Sequence, residues 1–194
     1  IVADRLDKTP EHLHDDWHLL LLAKNKEGVK NLIRIHNDAQ INGFYGKPKT
    51  DISVLRKYGK GIIATSACIG GEIPQASLNQ DKEFLIKRIR EYKEVFDEFY
   101  FEIQPGRFRE QIVVNDCLAL LSEKTGIPLV ATNDIHYLNS EDYIVHDQHI
   151  KGIRRNQDAD SGLIYPDTCY YLMSEDELRK RFMKTRHLTD EAIE

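Results

Sequence analysis

Residues 126–139, GIPLVATNDIHYLN, run from an apolar segment directly into an acid and an imidazole two residues apart, Asp134 and His136. Residues two apart on an extended chain face the same side, so the pair converges if strand geometry continues through it. A carboxylate beside an imidazole is a donor set for a divalent ion such as zinc or manganese. The competing reading is a turn, in which Asn133 and Asp134 shape the chain and His136 hydrogen-bonds nearby. On this motif alone both readings stand.

Other residues able to do chemistry fall at comparable places. In TSACIGGEIP, Cys68 follows an apolar run and is either a soft metal ligand or a packed thiol. Gly70 and Gly71 lead into a helix and would suit a phosphate cradle, but the phosphate-loop spacing is absent. His18 opens the run HLLLLA. His12 and His14 form an H-x-H pair in a charged stretch after Pro10, which reads as a solvated loop. His146 and His149 are three apart on a helix and read as surface or packing residues. His36 lies on a helix stripe as a core-edge histidine, and His187 reads as a surface residue.

The elements that must position these residues alternate in the α/β manner. Strands are expected at 18–23, 61–66, 99–103, 128–132 and 169–173. The first, second and fourth are apolar almost throughout, as expected of strands covered on both faces of a parallel sheet. One helix is expected over 25–40, with Asn25 as its cap and Val29, Leu32, Ile33 and His36 on one stripe. A second covers 79–96, with Phe84, Leu85, Ile89, Tyr92 and Phe96 on one face. A third, 109–126, ends in Gly126, with Lys124 in its last turn. Helices opening Ser-then-acid are expected at 140–153 and 174–182. Residues 154–167 read as a flexible loop. Chemistry in such folds gathers at the C-terminal ends of strands.

The 194 residues are enough for one domain with a real core. A composition of 41% hydrophobic and 30% charged residues is that of an ordinary soluble protein. No apolar run reaches the ~20 residues of a membrane span. A formal charge of −5 argues against a broad basic surface for gripping duplex nucleic acid. Three widely spaced cysteines suit a reducing compartment better than a disulfide framework. The opening IVADRL reads as the end of a strand and the closing LTDEAIE as the start of a helix, so the sequence reads as an excised fragment.

Six segments together carry a family resemblance: HLLLLAKNKEGVKNLIRI, GFYGKPKTD, GIIATSACIGGEIP, EFYFEIQPG, GIPLVATNDIHYLNSED with HD following, and YYLMSEDELRKRF. In this order they resemble the PHP (polymerase and histidinol phosphatase) domain of the bacterial replicative DNA polymerase III alpha subunit, over about residues 16–183. The resemblance implies an α/β fold, part of a distorted (β/α)7 PHP barrel with mostly parallel strands. Residues 1–194 would be a PHP fragment, with 1–17 a loop or strand remnant.

By position, His18, Cys68, Asp134 and His136 match family metal ligands. Asp134 and His136 form the closing D-x-H pair, which would also orient a metal-mediated reaction. The family's first H-x-H motif and the acid, His and Glu ligands after it would precede IVADRL, and His12 and His14 do not replace them. The implied cofactors are Zn2+ or Mn2+ in the PHP cleft and Mg2+ for the parent polymerase. The implied partners are DNA and dNTPs, the clamp and a proofreading exonuclease, in the cytoplasm and without a membrane. The implied activity is a metal-dependent phosphoesterase acting on a mispaired 3′ end or on pyrophosphate, or else structural support for the polymerase. The rivals are a stand-alone phosphoesterase of the histidinol phosphatase kind and a non-catalytic interaction module.

Overall fold

The computed structural model describes residues 1–12, 16–153 and 164–182. The chain forms two compact units, Ile1–Phe101 and Glu102–Glu194. Among the described residues no helix is long and apolar enough to cross a membrane.

In the first unit, β1 (Leu20–Ala23) leads into α1 (Lys26–Ile41), then a short hairpin of β2 (Phe44–Tyr45) and β3 (Lys47–Pro48). Next come α2 (Ile52–Tyr58), β4 (Ile62–Thr65), α3 (Glu72–Leu78), α4 (Lys82–Val95) and β5 (Glu98–Ile103). The β4 strand pairs with β5 in parallel and with β1 antiparallel. Its core gathers Leu55, Ile62, Ala64, Ile73, Tyr92, Phe99 and Phe101, all buried. The Tyr92 ring packs against Phe96 and Phe99 at centroid distances of 5.7 and 5.3 Å.

Helix starts follow side-chain chemistry. The Asn25 side chain accepts from the Gly28 amide to open α1, and Asp51 accepts from the Ser53 and Val54 amides to open α2. The α2 helix is absent from the sequence reading, although TDIS carries that cap in plain view.

Two expectations about this unit are corrected. The β1 strand is not covered on both faces of a parallel sheet: it is antiparallel to β4, with Leu20 and Leu22 42% and 49% exposed. The buried face of α1 is Gly28, Asn31, Ile35 and Ala39, not the Val29–Ile33 stripe, and His36 is exposed. Packing is decided there by close approach. A Cβ on Gly28 would lie 1.9 Å from the Gly61 carbonyl oxygen, so only glycine lets the helix backbone approach that loop.

The second unit holds the end of β5, then α5 (Arg109–Thr125), β6 (Leu129–Ala131), α6 (Tyr143–Ile153) and α7 (Glu175–Phe182). Gly126 ends α5 at φ 69°, the left-handed cap expected of it. The Thr132 amide donates to the Ile103 carbonyl at 3.0 Å, beside the pairing that gives the four-stranded, mostly parallel sheet its order β1-β4-β5-β6. The strand expected at 169–173 reduces to a single bridge between Tyr137 and Tyr171. Of the expected loop 154–167, residues 154–163 lie outside the described residues, as do His14 and His187.

Candidate functional site

In the first unit the chain leaves β4 through Ser66 and Ala67. The Ser66 amide donates to Tyr100 O at 3.0 Å, and Ala67 then turns with φ 60°, a left-handed conformation rare outside glycine. The Ala67 amide donates to Thr65 Oγ1 at 3.1 Å, and the Gly71 amide to Cys68 O at 2.8 Å, closing a tight loop around Cys68. His18, just ahead of β1, is bridged to Gly71, its amide donating to Gly70 O at 2.9 Å. These bonds set the His18 Nδ1 3.1 Å from the Cys68 Sγ. Two ligands of one tetrahedral zinc, with bonds of about 2.05 Å to nitrogen and 2.3 Å to sulfur, stand about 3.6 Å apart. The pair therefore needs only about half an ångström of adjustment to share an ion.

A buried network supports that loop from behind. Glu72, the residue after Gly71, is 2% exposed and pairs with Arg88 of α4, Nη2 to Oε1 at 3.0 Å and Nε to Oε2 at 2.9 Å. The Tyr92 hydroxyl donates to the same carboxylate, and Arg88 Nη1 also bonds Glu91 at 2.8 Å. Burial pushes the Glu72 carboxyl up, against the opposing pull of Arg88 and Tyr92. An acid directly after two glycines was the sequence signal for this group.

In the second unit the chain leaves β6 through Thr132, whose hydroxyl donates to Glu102 Oε1 at 2.6 Å. Glu102 is 5% exposed and also accepts from Gln104 Nε2 at 3.1 Å. Its signal in the sequence was an acid inside the apolar run FYFEI. Asn133 Nδ2 donates to Tyr171 O, and the His136 amide to Tyr170 O at 2.7 Å. The His136 Nδ1 lies 2.7 Å from the Asp134 main-chain oxygen and 4.0 Å from Asp134 Oδ1. A carbonyl oxygen only accepts, so Nδ1 carries the proton and Nε2 presents its lone pair, the tautomer a metal ligand requires. The Tyr165 hydroxyl stands 3.4 Å from that Nε2.

The His136 ring is walled by Tyr165, Tyr170 and His146 at centroid distances of 5.1, 5.3 and 5.4 Å. His146, read from sequence as a surface or packing residue, thus belongs to the surroundings of His136. Burial, with His136 as neighbour, holds the His146 imidazole below its usual value. Burial likewise pushes the nearby Cys169 thiol up to about 12.

The structure thus joins His18 to Cys68 and Asp134 to His136, each pair within its own unit. Within each unit, among the described residues, no group of three or more His, Cys, Asp or Glu side chains is arranged to hold an ion.

Comparison with known proteins gives this geometry its context. The PHP domain family matches residues 3–106, more than half of the chain, and the chain belongs to that family. Among its relatives is the DNA polymerase III subunit alpha of Borreliella burgdorferi, 38% identical over 168 residues, which cover 86% of this chain and 15% of that protein. The Thermus aquaticus subunit is 42% identical over 132 residues (68% and 11%), and that of Aquifex aeolicus 40% identical over 149 (74% and 13%). The chain spans between 11% and 15% of the length of these relatives.

Proposed function

We propose that this chain is the PHP portion of a bacterial DNA polymerase III alpha subunit and that its two donor pairs bind divalent metal. The observation that supports the first part most is similarity over 86% of the chain to a far longer polymerase subunit. On this reading the sheet is part of a (β/α)7 barrel. DNA and dNTPs, with Mg2+, would be handled elsewhere in the parent polypeptide, and the clamp and a proofreading exonuclease would be partners of the whole subunit.

The donor chemistry supports the second part. A thiol and an imidazole 3.1 Å apart suit zinc, and a carboxylate and an imidazole two residues apart on one segment suit zinc or manganese. An ion held by such residues supplies Lewis-acid activation for cleavage of a phosphodiester or pyrophosphate bond. The chain's own contribution is positional. The Asp134 carbonyl holds the His136 ring in one tautomer, and Glu102 anchors the strand exit through Thr132. Elemental analysis of the polypeptide beside its Asp134→Ala, His136→Ala and Cys68→Ser variants tests the assignment.

A second reading is a non-catalytic module that supports the polymerase. Metal absent from the wild type in the same analysis would favour this second reading.

A further inference from the structure

The α6 helix is built inside out. Its only acid, Asp147, is 7% exposed and is the sole buried residue of the helix. It pairs with Lys151 Nζ at 2.8 Å, one turn on, and accepts from the Ile164 amide at 2.8 Å. Tyr143 and His146 share that inner side, lining a small cavity with Asp147, Tyr165 and Tyr170. A surface helix ordinarily buries an apolar stripe and turns its charges to water. Here the ion pair is turned inward and the apolar residues outward.

The outer side carries two rows at four-residue spacing, Ile144–Gln148–Gly152 and Val145–His149–Ile153, and all six residues are exposed. Ile144, Val145 and Ile153 are 56%, 71% and 63% exposed, and none of the six is Asp, Glu, Lys or Arg. Rows of this spacing are ridges, and the hollow between them is the groove into which a second helix packs. Gly152 adds an independent sign. Its backbone is not left-handed, and a Cβ there would meet nothing within 4 Å. No contact among the described residues therefore calls for glycine, which costs a helix about 1 kcal/mol relative to alanine. On α1, Gly28 shows what such a residue permits, since there another backbone comes too close for any Cβ. Gly152 leaves the same room on a face that is apolar and open.

We propose that this outer face of α6 is a docking site for an apolar helix that the same polypeptide supplies from outside these 194 residues. That occupant rests on the polymerase assignment above, under which the chain matches only 11% to 15% of its relatives' length and most of the polypeptide lies elsewhere. Size favours an attached partner. A helix of 11 residues is about 17 Å long and about 10 Å across, so its face offers on the order of 200 Å². Separate chains need about 800 Å² each for a stable complex. A tethered segment meets its site at a high effective concentration and needs no such area.

The test is photo-crosslinking in the intact polypeptide, with p-benzoylphenylalanine in place of Val145 and, separately, of His149. Isotopically light and heavy copies are mixed before irradiation, and the linked peptides are identified by mass spectrometry. Links within one copy, to residues outside this chain, are expected from both positions. Gly152→Leu blocks the close approach without straining an open helix and should abolish most of the link from Val145. Links confined to residues 1–194, links between light and heavy copies, links to another protein, or none from either position would each overturn the proposal. An undiminished yield in Gly152→Leu would do the same. The intact mass keeps two failures apart. A long polypeptide without the expected links loses this proposal alone, whereas one no longer than 194 residues loses the polymerase assignment as well.

Discussion

Adjacent glycines in the Cys68 loop respond to the same substitution in opposite ways. A Cβ on Gly71 would lie 2.2 Å from the Ser66 carbonyl oxygen and 3.2 Å from Cys68 O. The first distance is at least about 1 Å inside van der Waals contact, and the atom it meets is backbone, which cannot swing aside. Gly71 has φ −79° and ψ 158°, a conformation alanine adopts freely, so the penalty is purely steric. Overpacking of this kind costs about 2 kcal/mol, or about 4–8 °C in Tm for a chain of this size. A Cβ on Gly70 would instead touch only the His18 ring, at 3.4 Å from Nδ1, an ordinary contact. Gly70→Ala should therefore stay within about 0.5 kcal/mol of wild type. Because Gly71 is bridged to His18 and bonded to Cys68, the displacement also spreads the 3.1 Å donor pair. The assay is a urea midpoint together with zinc affinity by competition with a chromophoric chelator. Gly71→Ala should lose both stability and zinc affinity, and Gly70→Ala neither. Equal behaviour of the two variants would refute the steric argument.

Two further predictions concern the network behind the site and the acid limb of stability. Arg88→Met leaves the Glu72 carboxylate buried without its partner and should cost about 3 kcal/mol near neutral pH by urea denaturation. An unpaired buried acid has a raised pKa, so the loss should be smaller at pH 5 than at pH 8; a pH-independent loss would contradict this. Asp38 and Asp51 behave in the opposite sense. Burial alone would raise both, but hydrogen bonds from Asn42 and Arg5 to Asp38, and from Ser53 and Arg5 to Asp51, outweigh it and hold both below the usual value. Their contribution is present above about pH 4 and is lost as pH falls through the depressed folded values. Urea midpoints measured from pH 6 down to pH 3 should fall less steeply in Arg5→Gln than in the wild type, and equal slopes would show that Arg5 does not set them.

Much of the framework was legible because its signals are local. Asn25 and Gly126 announced their helix ends, and the apolar run of β4 announced a buried strand, whereas that of β6 is only half-buried. What the sequence could not show depends on partners distant along the chain. The run LLLLA looks doubly buried, yet strand direction is not encoded in hydropathy, and β1 pairs antiparallel with Leu22 exposed. The packed face of α1 is set by Gly28 approaching the Gly61 carbonyl, a contact that hydrophobic periodicity cannot register. At the site, the two-residue spacing of Asp134 and His136 was visible, whereas the carbonyl that fixes the His136 tautomer was not. His18 and Cys68 are 50 residues apart; each stood out by its place beside an apolar run, and the family resemblance, not spacing, joined them as ligands before the fold brought them together.

The central claim is that these residues hold metal. Its most direct test is zinc and manganese content by elemental analysis of the purified polypeptide carrying this chain, beside Asp134→Ala, His136→Ala and Cys68→Ser. The account predicts stoichiometric metal in the wild type, a marked fall in the first two variants, and zinc affinity at least about tenfold weaker with Cys68→Ser as a hard hydroxyl replaces a soft thiolate. Metal absent from the wild type, or unchanged in all three variants, would contradict it.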